Sequence, residues 1–237
     1  MKVSVIIVHY GPEEMLKGCI ESLRAQTFRD FEIIVVDNNR VNRGFAAGGN
    51  VGIRRASGEY VALLNNDARA DKYWLEELVL TAEKNYAGMY ASKIIRPDKT
   101  IDSAGCIVYQ DGNGMCRDRG VPRELYDTRD VRVYLNGFPS GCAAMYRREM
   151  LDKTGLFDES FWMYNEDTDL GIRAKKAGWE CVYTPYAIVT HLGSRNTLKK
   201  LYYVERNRIK IMLKHFTWWQ IIVSPYWTVK RYLKGGR

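Results

Sequence analysis

Four groups of polar residues stand where apolar runs of this sequence stop. They are Asp37, Asn65-Asn66-Asp67, Asn165-Glu166-Asp167 and His191. Carboxylate oxygens are hard ligands that suit Mg²⁺ or Mn²⁺, and Mn²⁺ also accepts imidazole. A carboxylate held near a hydroxyl takes its proton as a general base. The same residues have plain structural uses. Asp67 can end a strand in a turn or cap a helix. Asn165 can cap, and Glu166, Asp167 and Asp169 fall in a first helical turn, where the helix dipole favours anions.

The elements that must carry these groups follow from hydrophobic patterning. Residues 3–8, 31–36 and 60–64 are apolar runs rich in β-branched side chains, as in buried parallel strands. Between them, Pro12 and Glu13 open a helix whose apolar face is Met15, Leu16, Cys19, Ile20 and Leu23, and a Gly-rich turn leads into a helix over 44–56. A further helix over 74–84 carries Leu75, Leu78 and Val79 on one face. Alternating strands and helices give an α/β fold with a parallel sheet covered by helices. Ligands of such sheets sit beyond the carboxyl ends of the strands, where His9-Tyr10, Asp37–Asn39 and Asn65–Asp67 all fall. The second half is less regular. Strands are expected at 143–146, 180–184 and 187–190, and helices from Arg148 to Gly155 and over 165–176. A last helix over 198–216 places Leu198, Leu201, Tyr202, Ile209, Met212, Leu213 and Phe216 on one face.

At this point the sequence resembles family 2 glycosyltransferases of the GT-A fold, the rhamnosyltransferase-like members most of all. The matching stretches are VSVIIVHYG, IIVVDNN, NRGFAAGGNVGI, YVALLNNDA, SGCAAMYRREMLDKTGLFDESFWMYNEDTDLGIRAKKAGW and THLG, in the family's order across roughly 3–195. The resemblance implies a Rossmann-like nucleotide-binding half with a mixed central sheet flanked by helices, followed by C-terminal amphipathic helices. It divides the chain into a catalytic domain, 1–195, with a nucleotide-sugar half (1–96) and an acceptor half (97–195), and a basic aromatic tail, 196–237. It implies an inverting, metal-dependent transfer of a sugar from a nucleoside diphosphate, dTDP-rhamnose or a UDP-sugar, to a glycan or polyprenyl-linked acceptor.

The roles it carries over are specific. Asp67 resembles the metal-binding last Asp of the DxD motif, and His191 the late histidine that completes the metal site in some members. The cofactor is then Mn²⁺ or Mg²⁺. Asp167 resembles the Asp that acts as catalytic base. Asp37 resembles the residue that bonds the nucleotide base, and a carboxylate can accept the N3–H of uracil or thymine. His9, Tyr10, Asn39, Asn65 and Asn66 would line the donor pocket. Gly44, Gly48, Gly49 and Asn50 would let backbone approach ribose or diphosphate. Trp162, Tyr164, Glu166 and Asp169 would meet or support the acceptor.

Three departures stand out. Asn65 occupies the first DxD position, leaving one carboxylate there. Gly49 replaces an Arg, so the missing phosphate charge would come from Arg43, Arg54 or Arg195. Only Arg40, Val41 and Asn42 separate VDNN from NRGF, so either the sheet is one strand narrower or a segment has dropped out of the sequence.

Composition narrows the alternatives. The 237 residues carry a net charge of +8. Residues 195–237 hold eleven of the 36 bases and one of the 28 acids, so the body is slightly acidic and the excess lies in the tail. A body without a basic stripe argues against a nucleic-acid partner. In the tail, Trp218, Trp219, Tyr226, Trp227 and Tyr232 alternate with Lys210, Lys214, Lys230, Arg231 and Lys234. That pattern suits a lipid surface, which predicts peripheral membrane contact through 198–234 at the inner face of the cell membrane, from the cytoplasm. A helical pair packed on the body or forming a homodimer is the competing reading. Five cysteines without CxxC indicate neither a disulfide framework nor a zinc site, although Cys106 and Cys116 could pair. A sugar-nucleotide pyrophosphorylase would want a basic Gly-rich loop after the first strand, and HYGPEEM is not one. A non-enzymatic membrane- or nucleic-acid-binding module is the remaining alternative.

Overall fold

The computed structural model describes residues 1–123, 132–134, 137–193 and 198–233. Strand β1 (Val3–His9) is buried along its whole length, and its residues alternate between two cores. Val3, Val5 and Ile7 face one layer, and Ile6 faces the other, as the period of two in a strand requires. Helix α1 (Glu13–Arg24) belongs to the first layer. Strand β2 (Phe31–Asp37) pairs parallel to β1, with Asp37 opposite His9. Helix α2 (Gly44–Arg55) covers the other face, and β3 (Tyr60–Leu64) pairs with β1 on its far side.

The sheet then turns mixed. After β4 (Ala68–Ala70), α3 (Trp74–Lys84) and β5 (Met89–Ile95) come β6 (Ile101–Ala104), β7 (Cys106–Val108), β8 (Gly114–Cys116), β9 (Arg132–Tyr134) and β10 (Gly137–Phe138). Strand β11 (Ala143–Arg147) slots antiparallel between β3 and β5. Helices α4 (Arg148–Thr154) and α5 (Glu166–Lys176) lead to β12 (Cys181–His191), which is parallel to β5. The order is β2-β1-β3-β11-β5-β12-β4, with β6 on β5 and β9 on β12; β10-β7-β8 form a small second sheet. Helices α1 and α3 cover one face, and α2, α4 and α5 the other. The expected mixed sheet flanked by helices is therefore present.

Two local readings change. The late apolar segment is one strand, β12, with a register shift between Thr184 and Ile188, rather than two short strands. Its extra length reaches β4, a strand absent from the sequence reading, which pairs antiparallel with it and sets His191 opposite Ala68. The short connection after β2 closes on itself. The Asn38 side chain donates to Gly44 O at 2.9 Å and accepts from Arg43 N at 3.4 Å, and β2 is left as the sheet edge.

The glycines of α2 let the helix pack close against β1 and Phe157. A Cβ at Gly48 would lie 2.7 Å from a Val8 methyl, and one at Gly52 would strike the Ile6 side chain. Gly49 faces the Phe157 ring.

The C-terminal segment is not a separate tail. Helices α6 (Leu198–His215) and α7 (Trp218–Leu233) close over the body. The apolar stripe read from the sequence largely faces outward, with Leu198, Leu201, Tyr202, Ile209 and Leu213 exposed and Met212 buried. The inward face is Asn207, Arg208, Ile211 and Met212. On α7, Arg231 reaches the buried Asp111 at 2.8 Å and Glu205 at 3.2 Å, while Arg208 donates to Asp111 O at 2.9 Å.

Replacing Gly52 by Val tests the α2–β1 contact. Overpacking of this kind costs about 1–3 kcal/mol, so thermal unfolding should shift down by roughly 3–10 °C.

Candidate active site

The carboxyl ends of β1 and β3, the β4–β12 pair and the start of α5 surround one cavity of about 910 Å³. Tyr10, Asn38, Asn65, Asn66 and Asp67 line one side of it, and Tyr164, Asn165, Glu166 and Asp167 line another. His191, Asp102, Arg119 and Lys200 complete it.

Pairing of β4 with β12 brings Asp67 beside His191. Leu192 N donates to Asp67 O at 3.0 Å, and His191 Nε2 lies 3.4 Å from Asp67 Oδ1. The other ring nitrogen, Nδ1, is 3.0 Å from Asp102 Oδ2. Asp102 in turn meets Arg96 at 3.1 Å and Arg119 at 3.2 Å. Burial opposes charge on Asp102, yet its bond to His191 and the two guanidiniums hold its carboxyl down at about 2. Burial likewise opposes charge on His191, but the Cys142 sulfur, Asp102 and Asp67 outweigh it and push the imidazole up to about 12.

Among the described residues, no group of three or more His, Cys, Asp or Glu side chains is arranged to hold a metal ion. The donors present would fit a shared ion once the metal displaces the His191 Nε2 proton. One carboxylate and one imidazole nitrogen face the same space, and an outer carboxylate orients the ring. Mg²⁺ and similar ions are commonly held by one or two protein ligands with the remaining places taken by water and substrate phosphates.

The opposite wall is set by a strained loop. Trp162, Tyr164 and Asn165 all have left-handed backbone, with φ of 62°, 67° and 65°. Such a conformation costs about 1 kcal/mol or more for a bulky L-residue. Asn165 stands at the N-cap position of α5, but its side chain does not cap; its amide donates instead to Val204 O at 3.1 Å. The loop turns Glu166 and Asp167 toward the cavity. Asp167 Oδ2 accepts from Gly141 N at 2.9 Å and Oδ1 from Thr168 N at 2.7 Å. Burial raises its carboxyl above the ordinary range against those two bonds. Glu166 is more extreme. Burial, then the Asp167 charge, push it up to about 8, and its Oε2 has no hydrogen-bond partner among the described residues.

Several expected site residues lie elsewhere. His9 is buried behind the wall, with Nε2 3.3 Å from Glu13 and Nδ1 accepting from Asn66 at 3.1 Å. Asp37 is exposed beside the cavity, where it accepts from Asn39 N at 2.8 Å. The Asn39 side chain ties down Gly11, accepting from its N–H at 2.8 Å and donating to its carbonyl at 3.2 Å. Asn50 staples the chain before α5, donating to Phe157 O at 2.9 Å and accepting from Phe157 N at 3.0 Å. Gly44, with φ +79°, sits under Trp162, whose ring stacks on Tyr203 at 4.9 Å. Asp169 points away from the cavity, fully buried among Arg173 (2.8 Å), Lys214 (2.7 Å) and His215 (2.8 Å). Of the candidate phosphate-binding bases, Arg54 pairs with Glu159 at 3.3 Å, Arg43 is exposed outside the cavity, and Arg195 lies outside the described residues.

Sequence reasoning missed Asp102, Arg119 and Lys200. An acid inside the apolar run around Ile101 and Ala104 was the available signal for the first. Cys106 and Cys116 are cross-strand partners, both free thiols, with sulfurs 3.1 Å apart.

A mixed sheet whose parallel strands end on a polar cleft is the architecture of the GT-A fold. The chain superposes on GalNAc-T7 solved with UDP, GalNAc and Mn²⁺ at TM-score 0.65, with 13% identity over 90% of this chain and 47% of that one. It superposes on Staphylococcus aureus TarS 1-349 in complex with UDP-GlcNAc at TM-score 0.58, with 19% identity over 90% and 67% of the two chains. The sequence profile of glycosyl transferase family 2 matches residues 4–40 and 38–155, and this chain belongs to that family. The two pieces meet at the short connection after β2. A second profile, glycosyl transferase family group 2, matches 125–221. The O-antigen biosynthesis protein RfbC of Myxococcus xanthus is 28% identical over 80% of this chain but only 17% of its own length. The N-acetylglucosaminyl-diphospho-decaprenol L-rhamnosyltransferase of Mycobacterium tuberculosis is 28% identical over 81% of this chain and 76% of its own.

The raised Glu166 carboxyl has a stability consequence with a definite sign. The folded protein retains a proton there that the unfolded chain releases near pH 4.5, so stability is intact below that pH and falls as pH rises toward about 8. Glu166→Gln should therefore unfold several degrees higher than the wild type at pH 8.5, and the gap should close by pH 4.5; melting curves across that range check it.

Proposed function

We propose that this protein is an inverting, metal-dependent glycosyltransferase that moves a sugar from a nucleoside diphosphate to a hydroxyl of a glycan or lipid-linked acceptor. One observation carries the reading: Asp167 on the α5 side and the Asp67–His191 pair on the β4–β12 side line the same cavity. A base and a leaving-group site on opposite walls suit a displacement that inverts the anomeric carbon.

In this reading Asp167 takes the acceptor hydroxyl proton, its orientation fixed by Gly141 N and Thr168 N. A carboxyl raised by burial is a stronger base than a free one. The acceptor oxygen bonds to the anomeric carbon as the bond from that carbon to the β-phosphate oxygen breaks, and the nucleoside diphosphate leaves with the electron pair. Asp67 and His191 would hold Mn²⁺ or Mg²⁺, which when bound offsets the negative charge that develops on the leaving diphosphate. Arg119 and Lys200 line the same part of the cavity and add positive charge there. The exposed Asp37 carboxylate stands ready for the N3–H of a pyrimidine base, and Tyr164 for the acceptor. A donor of the dTDP-rhamnose or UDP-sugar kind is supported by the relative named as an L-rhamnosyltransferase and by the neighbour solved with UDP-GlcNAc.

The acceptor reading extends to a lipid surface. No helix among the described residues is long and apolar enough to cross a membrane. Helix α7 is amphipathic in the inverted sense: it buries Ser224 and Arg231 and exposes Trp218 (79%), Trp219 (71%), Ile222, Tyr226, Val229 and Leu233. At 100° per residue these six fall within roughly 100° of arc, one continuous stripe. Lys230 sits 4.6 Å over the Trp227 ring. Aromatic stripes of this kind seat at the lipid–water boundary, and a relative acts on a decaprenol-linked substrate by name.

Four measurements test these readings. Asp167→Asn should lower transfer by about 10³-fold while donor affinity stays within about threefold, and Asp67→Ala should lose the gain in donor binding that Mn²⁺ brings. A thermal-shift screen with dTDP-, UDP- and GDP-sugars plus Mn²⁺ identifies the donor, and near-normal turnover of Asp167→Asn would remove the base. For the surface, flotation with phosphatidylcholine–phosphatidylglycerol vesicles should carry the protein, and the triple change Trp218→Ala, Trp219→Ala, Ile222→Ser should weaken binding by more than about tenfold; equal flotation of the variant would point to a protein partner for this stripe.

A further inference from the structure

Asn207 stands in the middle of α6, fully buried, on the face turned to the active-site loop. Its amide nitrogen faces three backbone carbonyls of that loop at once: Phe161 O at 2.9 Å, Met163 O at 2.8 Å and Tyr164 O at 2.7 Å. An amide has two N–H donors, so at least one is shared between carbonyls. Asn is a poor residue for a helix interior, and a buried helix face is ordinarily apolar. Its presence here has a physical reason. The loop it meets contains the left-handed Trp162, Tyr164 and Asn165; Trp162 O accepts from Ala46 N at 3.2 Å and Asn165 O from Asp169 N at 3.0 Å, while the Met163 and Tyr164 carbonyls turn to Asn207. Buried carbonyls without donors are costly, and no aliphatic side chain could supply one. One helical turn earlier, Val204 O accepts from Asn165 Nδ2 at 3.1 Å, and the neighbouring Tyr203 ring stacks on Trp162 at 4.9 Å. A single turn of α6 thus grips the loop from Phe161 to Asn165, and Glu166 and Asp167 follow directly.

We propose that Asn207 is a positioning residue for glycosyl transfer: it holds the 161–165 loop in its strained form and so aims Asp167 into the cavity. The proposal rests on the reading of Asp167 as base. It makes α6 part of the catalytic apparatus rather than an appendage.

The test uses the full chain carrying Asn207→Asp, which keeps the side-chain shape but replaces the donors with acceptors, and Asn207→Ala, which deletes the contact without adding repulsion. Either variant should lose kcat by about 100-fold, with donor KM within about threefold. Hydrogen exchange should quicken by at least about tenfold at the amides of 162–166 and stay unchanged in β1 and β3. Wild-type kcat in either folded variant overturns the proposal, as does unchanged exchange at 162–166. Faster exchange throughout β1 and β3 with loss of donor binding also overturns it, because that outcome marks a general structural role. If Asn207→Asp does not fold, Asn207→Ala carries the same readouts. Full turnover by Asp167→Asn would remove the base reading, a result independent of the exchange measurement, so the two failures are distinguishable.

Discussion

A backbone carbonyl shut away from water has to find a donor, and that requirement ties helix α6 to the loop before α5. The loop before α5 adopts left-handed backbone at three non-glycine residues, and its Met163 and Tyr164 carbonyls turn to α6 for a donor. Donors arrive from α6, about forty residues later in the sequence. With the loop held, the acids that open α5 face the cavity instead of solvent. The high carboxyl of Glu166 follows from the same burial, since water that would stabilise its charge is excluded.

The positive charge of the C-terminal segment takes a different meaning from this packing. Arg231 neutralises Asp111 and Glu205 inside the protein, Arg208 pairs with Glu205, and Lys214 pairs with Asp158 and Asp169. The pairs with Asp111, Asp158 and Asp169 attach α6 and α7 to the body, and Glu205, on α6, joins the two helices. What the helices turn outward is apolar and aromatic. A lipid surface would then be met mainly through buried hydrocarbon and indole area, with charge in a supporting role.

Much of the first half was legible in the sequence. Runs such as VSVIIV admit little besides a buried strand, and a buried strand on a helix-covered sheet leaves its carboxyl end as the place for a ligand. Asp67, Asn65, Asn66 and Tyr10 could be placed at the cleft for that reason. Asp169 and Asn50 could not be told from their neighbours. Asp169 shares a helical turn with Asp167, and only the packing of His215 and Lys214 against it shows that it faces away from the cavity. Asn50 sits in a glycine-rich stretch that looks made for a phosphate, yet Gly48 and Gly52 are small because Val8 and Ile6 press against them.

The sequence by itself determined the strand–helix alternation, the polar residues at the strand ends and the acidic start of α5, because these depend on local patterning and on motifs a few residues long. Tertiary structure decided which of those residues meet. Asp67 finds His191 only because β12 runs on past its register shift to pair with β4, and Asp102 joins them from a strand whose sequence carries no motif. It also decided which face of α6 is inside. Hydrophobic periodicity put Leu201, Ile209 and Leu213 on one face but did not say which way it turns; the body beneath offers carbonyls and carboxylates, so Asn207 and Arg208 point in and the apolar stripe is left outside.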